Sequence, residues 1–344
     1  MTFEITIARK ISLAIFAVIF CVPFSSVLAQ ATQGESKVIT APFKQKFKRK
    51  YRKVIGGSES SAEKSITVDA KVNIRLCVTE GILKITGWER NEIRVFVVNG
   101  SGVAFNVREK NIQNKAAWLT INDSGVAGDS QANSRGCLSG EKLELDVPRG
   151  ATVNIESETS ETTIESVRKV IVKNVGGDIL LNNIEQGIHA ATYEGDVMVG
   201  NSGGAVTLES GNGNIVALDV APGEIGDIFK AKTSSGAITL QNIGHRQTEI
   251  NSNSGSVKYT GAFHNGGQYN FGTQNGTITL AIPEKSSFKI NATYGLGKFN
   301  SDLKLNIITE NNTSKTQSIF AASGSGDANV NLTTYNGAIR IKKQ

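Results

Sequence analysis

The sequence predicts an all-β protein, a β-solenoid with rungs of about 20 residues and an N-terminal β cap region. One short phrase recurs through the second half of the chain, anchored by glycines spaced 18, 18, 23, 19 and 21 residues apart. The residues after each glycine alternate between apolar and polar, which is typical of strands with one buried face. The chain also has 36 glycines but only 5 prolines, as expected for short strands joined by tight turns.

Each copy of the repeat places the same kinds of residue at the same distance from its glycine. The anchoring glycines are Gly177, Gly195, Gly213, Gly236, Gly255 and Gly276, and a further copy surrounds Gly337. Apolar residues two positions later are Ile179, Val197, Ile215, Ile238, Val257, Ile278 and Ile339. Hydroxyl residues three positions earlier are Thr192, Ser210, Thr233, Ser252, Thr273 and Thr334. Stacking such rungs would bury one continuous apolar column. A β-sandwich of hairpins, which also use Asn-Gly turns, is the structural alternative.

The first 29 residues have the features of a secretory signal peptide. Arg9 and Lys10 precede an apolar run over residues 11–22, and a small-residue cleavage site ends at Ala29. The predicted mature chain begins at Gln30, and the protein is expected to be exported to the periplasm, the outer membrane or the cell exterior. A retained N-terminal anchor and a lipoprotein acylated at Cys21 are alternatives.

Three regions follow the predicted signal peptide. Residues 30–65 are polar and basic and are interpreted as a linker. Residues 66–149 contain several apolar alternating stretches and are interpreted as an N-terminal β region that caps the solenoid, because an open end would leave strand groups unpaired. Residues 150–344 form the repeat region.

Two cysteines remain after signal cleavage, Cys77 and Cys137. An exported chain with an even number of cysteines favours a disulfide between them. Two unpaired buried thiols are the alternative, and a reactive thiol is disfavoured because no CxxC motif or neighbouring histidine accompanies either residue.

Positive charge is concentrated in one short segment. Residues 1–29 hold 2 of the 37 Lys and Arg and 1 of the 31 Asp and Glu, which leaves 35 and 30. Residues 44–53 hold seven of those 35 and no acid, so the remainder has 28 against 30. Nucleic-acid binding by the rest of the chain is therefore disfavoured, because that part has no excess of positive charge.

The same segment has the pattern of an amphipathic helix. Phe43, Phe47 and Tyr51 recur every four residues, and Pro42 suits a first helical turn. The hypothesis is a helix that binds an anionic membrane or lipopolysaccharide surface, with a disordered basic tether as the alternative. The basic residues are Lys44, Lys46, Lys48, Arg49, Lys50, Arg52 and Lys53.

No catalytic or cofactor motif is present. The sequence lacks HExxH, GxSxG and P-loop patterns, and its three histidines are dispersed. Asp178 and Asp196 occupy equivalent outward positions in neighbouring rungs, about 5 Å apart. Solvated surface acids are the favoured interpretation; a weak Ca²⁺ site together with Glu194 and a catalytic pair are the alternatives. No catalytic residue and no cofactor are therefore predicted.

The chain resembles the bacterial DUF4097 family, also called head-domain adhesin proteins. The matching pieces are residues 81–95, the entry at 143–150, the Gly-x-Ile-x-Leu ladder, residues 280–290 and residues 336–341, so the resemblance covers roughly residues 66–344. It implies an exported β-solenoid without established catalytic residues, and some similar proteins act in envelope-stress responses.

Two classes of function follow from these observations. The first is an exported non-catalytic interaction module, adhesin-like or envelope-associated, with a protein or glycan ligand on a solenoid face. The second is a carbohydrate-active β-helix enzyme, which would need two carboxylates converging on one face. An accessory role in envelope stress is a further alternative within the first class.

Overall fold

A computed structural model describes residues 61–126, 136–224, 226–313 and 316–344. These ranges contain 24 β-strands and one 3₁₀ turn, Ser124–Val126, and no α-helix. No helix in them is long and apolar enough to span a membrane. The first twelve strands are β1 Ser61–Trp88, β2 Glu92–Gly100, β3 Val103–Lys110, β4 Ala116–Asp123, β5 Leu138–Pro148, β6 Thr152–Glu165, β7 Lys169–Gly176, β8 Ile179–Asn182, β9 Ile188–Glu194, β10 Val197–Gly203, β11 Val206–Asn212 and β12 Ile215–Ala221. The others are β13 Ile228–Ser235, β14 Ile238–Ile243, β15 Gln247–Ser254, β16 Val257–Thr260, β17 Gln268–Asn275, β18 Ile278–Ile282, β19 Phe288–Leu296, β20 Phe299–Ser301, β21 Asn306–Asn312, β22 Gln317–Ser323, β23 Ala328–Asn336 and β24 Ile339–Lys343.

Each rung of the solenoid consists of two strands joined at an anchoring glycine. The strand before the glycine pairs in parallel with its equivalents in the neighbouring rungs, as β13 does with β11 and β15. The strand after the glycine does the same on a second face, as β14 does with β12 and β16. Strands β1 and β6 run unbroken through the corner and pair on both faces. All 24 strands therefore belong to one hydrogen-bonded sheet.

The predicted register is confirmed. Ile215, Ile238, Val257 and Ile278 are direct Cα partners from rung to rung, and all four are fully buried. The parallel pairing satisfies the backbone N–H and C=O groups of each rung. Because the same position is buried in every rung, its side chains fill the interior with one apolar column. Hairpins would pair antiparallel, so the parallel ladder excludes the β-sandwich alternative.

Aromatic side chains fill the core where the C-terminal rungs meet. Tyr259, Phe263 and Tyr269 pack with ring centroids 4.6 to 6.4 Å apart. The buried phenols are hydrogen-bonded, because the Tyr259 hydroxyl donates to the Ala262 carbonyl and the Tyr269 hydroxyl accepts from the His264 N–H. These large side chains therefore bury much of the apolar area of this part of the solenoid.

The rungs at both ends are not stacked in sequence order. The last rung of the chain, β23 and β24, lies between the rung of β17 and β18 and the rung of β19 and β20. At the other end, β1 lies between β6 on one side and β4 and β5 on the other. β1 therefore forms a rung of its own rather than only a cap, and it begins at Ser61, inside the segment interpreted as linker.

Antiparallel strands cover the two ends. β21 and β22 form a hairpin on β19 at the C-terminal end. At the N-terminal end, β3 pairs with β4, and β2 pairs with β1 and β5. The outer N-terminal strands bear many charges, which disfavour edge-to-edge association.

Candidate ligand-binding surface

The anchoring glycines form a column, the first corner, in which each glycine contacts the one before it. A Cβ atom on Gly236 would lie 2.0 Å from the Gly213 carbonyl oxygen, and one on Gly337 would lie 1.8 Å from that of Gly276. A Cβ on Gly297 would lie 2.0 Å from the Gly337 oxygen. Gly297 therefore stacks on Gly337, in agreement with the pairing of β19 and β20 with β23 and β24. No side chain fits at these positions, so the backbones of successive rungs are in direct contact at the first corner.

Asp178 and Asp196, the acids predicted as surface groups or as a weak cation site, belong to a ladder at this corner. One Asp178 carboxylate oxygen accepts the Asp196 backbone N–H at 2.8 Å, and one Asp196 oxygen accepts the Asn214 N–H at 2.7 Å. Asn214 continues the pattern by accepting the Ala237 N–H at 2.9 Å. Each side chain therefore binds the backbone of the next rung, which lets neighbouring acids stack.

Glu194, the third member of the weak cation hypothesis, is an exposed residue at the end of β9. Its backbone carbonyl accepts the Gly177 N–H. Within the described ranges, no group of three or more His, Cys, Asp and Glu side chains is arranged to hold a metal ion.

The hydroxyl residues that recur three positions before each glycine form a second, buried ladder. Thr233 donates to the Gly213 carbonyl and Ser252 donates to the Gly236 carbonyl, both at 2.9 Å. Equivalent bonds are made by Thr192, Ser210, Thr273 and Thr334. These hydroxyls satisfy buried backbone carbonyls and are not available to a ligand.

A second column at the opposite corner was not predicted. Asn183, Asn201, Asp219 and Asn242 have φ values of 56°, 47°, 55° and 53°. Asparagine and aspartate tolerate this left-handed conformation better than other residues with a side chain. The signal is visible in the sequence, because each stands six residues after its anchoring glycine.

Two exposed tyrosines stand on the outer side of the first corner. Tyr193 and Tyr335 are each two residues before an anchoring glycine and are 63% and 60% exposed. In the next rung the same position is a glycine: Gly211 after Tyr193, and Gly295 after Tyr335. A Cβ on Gly211 or Gly295 would lie 3.1 or 3.3 Å from Cδ2 of the tyrosine. The Cδ2 side of each ring therefore lies beside a glycine, where a larger residue would crowd it.

Between the two tyrosines the same position holds Gly211 and the polar uncharged residues Ser234, Asn253 and Gln274, and on the other side of Tyr193 it holds the exposed Val175. We call the part of this column from Tyr193 onward the tyrosine strip; its members in spatial order are Tyr193, Gly211, Ser234, Asn253, Gln274, Tyr335 and Gly295. No Lys or Arg occurs in it, or immediately before and after the seven anchoring glycines, and Lys298 follows Gly297 in the end rung. The strip is therefore a neutral polar surface with one aromatic ring near each end.

The sequence profile of the Toastrack family, DUF4097, matches residues 65–342. The chain belongs to the Toastrack family. The predicted resemblance is thereby confirmed over nearly all of the described part of the chain. Comparison with curated proteins gives no match.

Two solved structures are similar to this Toastrack chain. One is described as a putative cell adhesion protein from Clostridium sporogenes ATCC 15579; it is 13% identical, with a TM-score of 0.26, and the match covers 83% of this chain and 100% of that one. The other is described as a putative adhesin from Parabacteroides merdae ATCC 43184; it is 11% identical, with a TM-score of 0.27, and the match covers 83% of this chain and 96% of that one.

Cys77 and Cys137 form a disulfide in this Toastrack chain. Cys77 lies in β1, and Cys137 immediately precedes β5, whose first residue, Leu138, is the parallel partner of Val78. The disulfide therefore fastens the start of β5 to the rung formed by β1. Its position in the end cap, away from the tyrosine strip, indicates a structural role.

A shallow cleft of about 380 Å³ lies beside the rung with the longest repeat spacing. Asp227, Arg246 and His264 line it together with Pro222 and Glu224. Asp227 accepts the Arg246 backbone N–H at 2.7 Å and forms an ion pair with its guanidinium. Burial alone would raise the pKa of the Asp227 carboxyl, but these interactions with Arg246 lower it below its usual value.

His245, next to the cleft, is completely buried. Its Nε2 lies 2.7 Å from the Gly204 carbonyl oxygen, so Nε2 carries the proton in the neutral ring. Burial lowers the pKa of His245. The ring packs near Phe229, with centroids 5.8 Å apart, and serves as a core side chain rather than a ligand group.

The basic segment predicted to bind anionic surfaces, with Phe43, Phe47, Tyr51 and the cations of residues 44–53, lies outside the described residues. The predicted signal peptide also lies outside them.

Proposed function

We propose that this Toastrack chain is an exported, non-catalytic, adhesin-like module that binds its ligand on the surface of the solenoid. The observation that supports this most directly is the ladder formed by Asp178, Asp196 and Asn214. Acid and base catalysis requires carboxylates aimed at a substrate, whereas these side chains accept backbone N–H groups of the adjacent rung. The surface beside them repeats from rung to rung, which suits binding along the solenoid.

Export is supported by two independent features. The signal-like residues 1–29 end in a small-residue cleavage site. The disulfide of Cys77 and Cys137 is of the kind that persists in oxidising compartments. The expected location is the periplasm, the outer membrane or the cell exterior.

Adhesion and processing can be tested together. The full gene is expressed in a Gram-negative host, and the N-terminus of the product is sequenced, with Gln30 expected. Beads coated with the purified product should bind polysaccharide-coated or cell-coated surfaces more strongly than beads coated with the same chain after reduction and heat unfolding. Equal binding by both kinds of bead would contradict the adhesin-like function, and an uncleaved product would contradict export through this signal.

The enzyme alternative makes a different prediction. A carbohydrate-active enzyme built on Asp178 and Asp196 should turn over a polysaccharide, and Asp196→Asn should abolish that turnover. The proposed module should show no turnover on a panel of neutral and anionic polysaccharides. Turnover lost in Asp196→Asn would overturn the non-catalytic assignment. Asn keeps the Oδ1 acceptor, so the folded ladder survives in this variant.

We also propose that the basic segment provides a second interaction with anionic lipid or lipopolysaccharide. The apolar stripe of Phe43, Phe47 and Tyr51 and the seven cations of residues 44–53 are suited to an anionic surface. The mature chain should bind phosphatidylglycerol vesicles at low salt, and binding should fall steeply as salt is added. Deletion of residues 42–55 should abolish binding without a change in melting temperature. Undiminished vesicle binding by the deletion variant would contradict the proposal.

A further inference from the structure

We propose that the tyrosine strip binds a neutral, linear oligosaccharide that runs along the solenoid axis. This inference rests on the proposed function and names the ligand class and the surface that recognises it. Tyr193 lies beside Gly211, and Tyr335 lies beside Gly295 in the same way. A tyrosine side chain on an open surface normally samples several rotamers, and a larger residue in the next rung would push the ring away.

Each ring has one carbon beside a glycine backbone and is more than half exposed, so a ring face is open to a ligand. The C–H groups on one side of a sugar ring form an apolar surface that stacks on such a face, while the phenol hydroxyl remains in water. Because glycine leaves room for the ring in the unbound protein, little side-chain order has to be gained on binding. The same arrangement at two distant places in the sequence, Tyr193 and Tyr335, indicates a shared use rather than a packing accident.

The residues between the two rings match the hydroxyl groups of a sugar chain. Ser234, Asn253 and Gln274 each both donate and accept hydrogen bonds, as sugar hydroxyls do. Beside them the Asn336 amide donates to the Asn275 side-chain oxygen at 2.7 Å, which orients both amides along the strip. The strip thus has a stacking position near each end and hydrogen-bonding positions between them along one line.

The charges at the first corner select against ionic ligands. The positions immediately before and after the anchoring glycines hold no Lys or Arg from Gly177 to Gly337, and Lys298, after Gly297 in the end rung, is the first cation at these positions. An acidic polysaccharide would therefore find no cation to pair with between the two tyrosines at these positions. Asp178, Glu194 and Asp196 at one end of the strip would repel such a polymer. A neutral glycan meets neither difficulty.

The separation of the two tyrosines sets the length of the ligand. Five rung steps lie between Tyr193 and Tyr335, which at the usual strand spacing is about 24 Å. A disaccharide reaches only one ring, whereas a chain of several sugars reaches both and gains from the effective concentration of the second contact. Affinity should therefore rise with chain length up to the span of the strip.

The test uses the mature chain and two neutral probes, cellohexaose and chitohexaose, with hexagalacturonate as the anionic comparison. Calorimetry should show binding of at least one neutral hexasaccharide, at least ten-fold weaker binding of its disaccharide, and no binding of hexagalacturonate. The double variant Tyr193→Ala/Tyr335→Ala should bind at least ten-fold more weakly, and Tyr193→Phe/Tyr335→Phe should stay within about three-fold of the parent. Ile308→Ala, an exposed apolar residue on β21 away from the strip, is the control for general loss of surface area.

The outcomes separate this inference from the proposed function. Binding of a neutral hexasaccharide that is unchanged in the double alanine variant would overturn the tyrosine strip as the site. Failure of both neutral probes, with bead adhesion that depends on Tyr193 and Tyr335, would overturn the glycan and identify a protein ligand at the same surface. Adhesion that persists in the double alanine variant would overturn the strip and leave the proposed function standing. If the parent protein shows neither bead adhesion nor binding of either neutral hexasaccharide, the tyrosine strip and the proposed adhesin-like function are both overturned.

Discussion

At the scale of single residues, the molecule is shaped by what each repeat position allows. The anchoring glycines permit backbone contact between rungs, the preceding hydroxyls satisfy buried carbonyls, and Asp178, Asp196 and Asn214 accept N–H groups across the corner. Most polar groups that attract attention in the sequence are thus committed to the backbone. Tyr193 and Tyr335 are different, because they remain exposed without contributing to the core.

The glycine column yields the first prediction. Gly236→Ala should lower the free energy of unfolding by about 2 kcal/mol or more, because the added Cβ would lie 2.0 Å from a backbone oxygen that cannot move without separating two rungs. Gly272→Ala is the matched control: its Cβ would meet nothing closer than 3.4 Å, so the change should be neutral or slightly stabilising in urea titrations. Equal destabilisation of the two variants would contradict the stacked corner.

His245 makes stability depend on pH. Burial lowers the pKa of His245 in the folded protein, so the folded state binds fewer protons than the unfolded state just below the ordinary histidine pKa of 6.5. The contribution of neutral His245 to the free energy of unfolding is fully present above pH 6.5. It is lost as the pH falls from 6.5 through the pKa of His245 in the folded protein, with a slope of at most about 1.4 kcal/mol per pH unit. The lowered pKa of Asp227 acts in a separate window, below its ordinary value of 3.8.

Urea titrations at pH 7.5, 6.5 and 5.5 measure this slope. His245→Gln keeps a donor for the Gly204 carbonyl but cannot be protonated in this range. The variant should therefore lose stability less steeply than the parent between pH 6.5 and 5.5. A slope identical to that of the parent would show that His245 is not the group responsible.

At the scale of strands, stability depends on alternation within each rung. In β14, Ile238 is fully buried and Thr239 faces outward. Ile238→Ala should cost about 2–5 kcal/mol, since it empties part of the continuous apolar column. Thr239→Ala should cost about 0.5 kcal/mol. The pair Ile278→Ala and Thr279→Ala in β18 should behave in the same way, and similar losses for inward and outward positions in denaturant titrations would contradict the register.

At the scale of the whole molecule, the out-of-order end rung couples the C-terminus to the rest of the solenoid. In a simple solenoid, removal of the last rung of the chain exposes one neighbour. Here β23 and β24 have a parallel neighbour on each side, so their removal separates β17 and β18 from β19 and β20.

Deletion of residues 328–344 should therefore unfold the region of β19 to β22 rather than trim the end. Hydrogen exchange measured by mass spectrometry should show lost protection over residues 288–323, while residues 197–243 stay protected. Deletion of Lys343 and Gln344 alone is the control and should leave the pattern unchanged. Retained protection of β19 in the long deletion would mean that β19 can pair with β17 directly.

The all-β class, the rung length and the inward register follow from the sequence, because they depend on a local period that every copy repeats. The parallel pairing that distinguishes a solenoid from a β-sandwich is seen only in the structure. The left-handed column of Asn183, Asn201, Asp219 and Asn242 was also readable, at six residues after each glycine, although it was not predicted. The order of the end rungs and the roles of the polar columns become visible only in the folded chain. The physical reason is that every rung offers nearly the same strand edge, so the repeat pattern does not specify which rung is the neighbour. That order places Tyr335 beside Gly295. It also brings Tyr335 within five rungs of Tyr193, although the two tyrosines are far apart in the sequence.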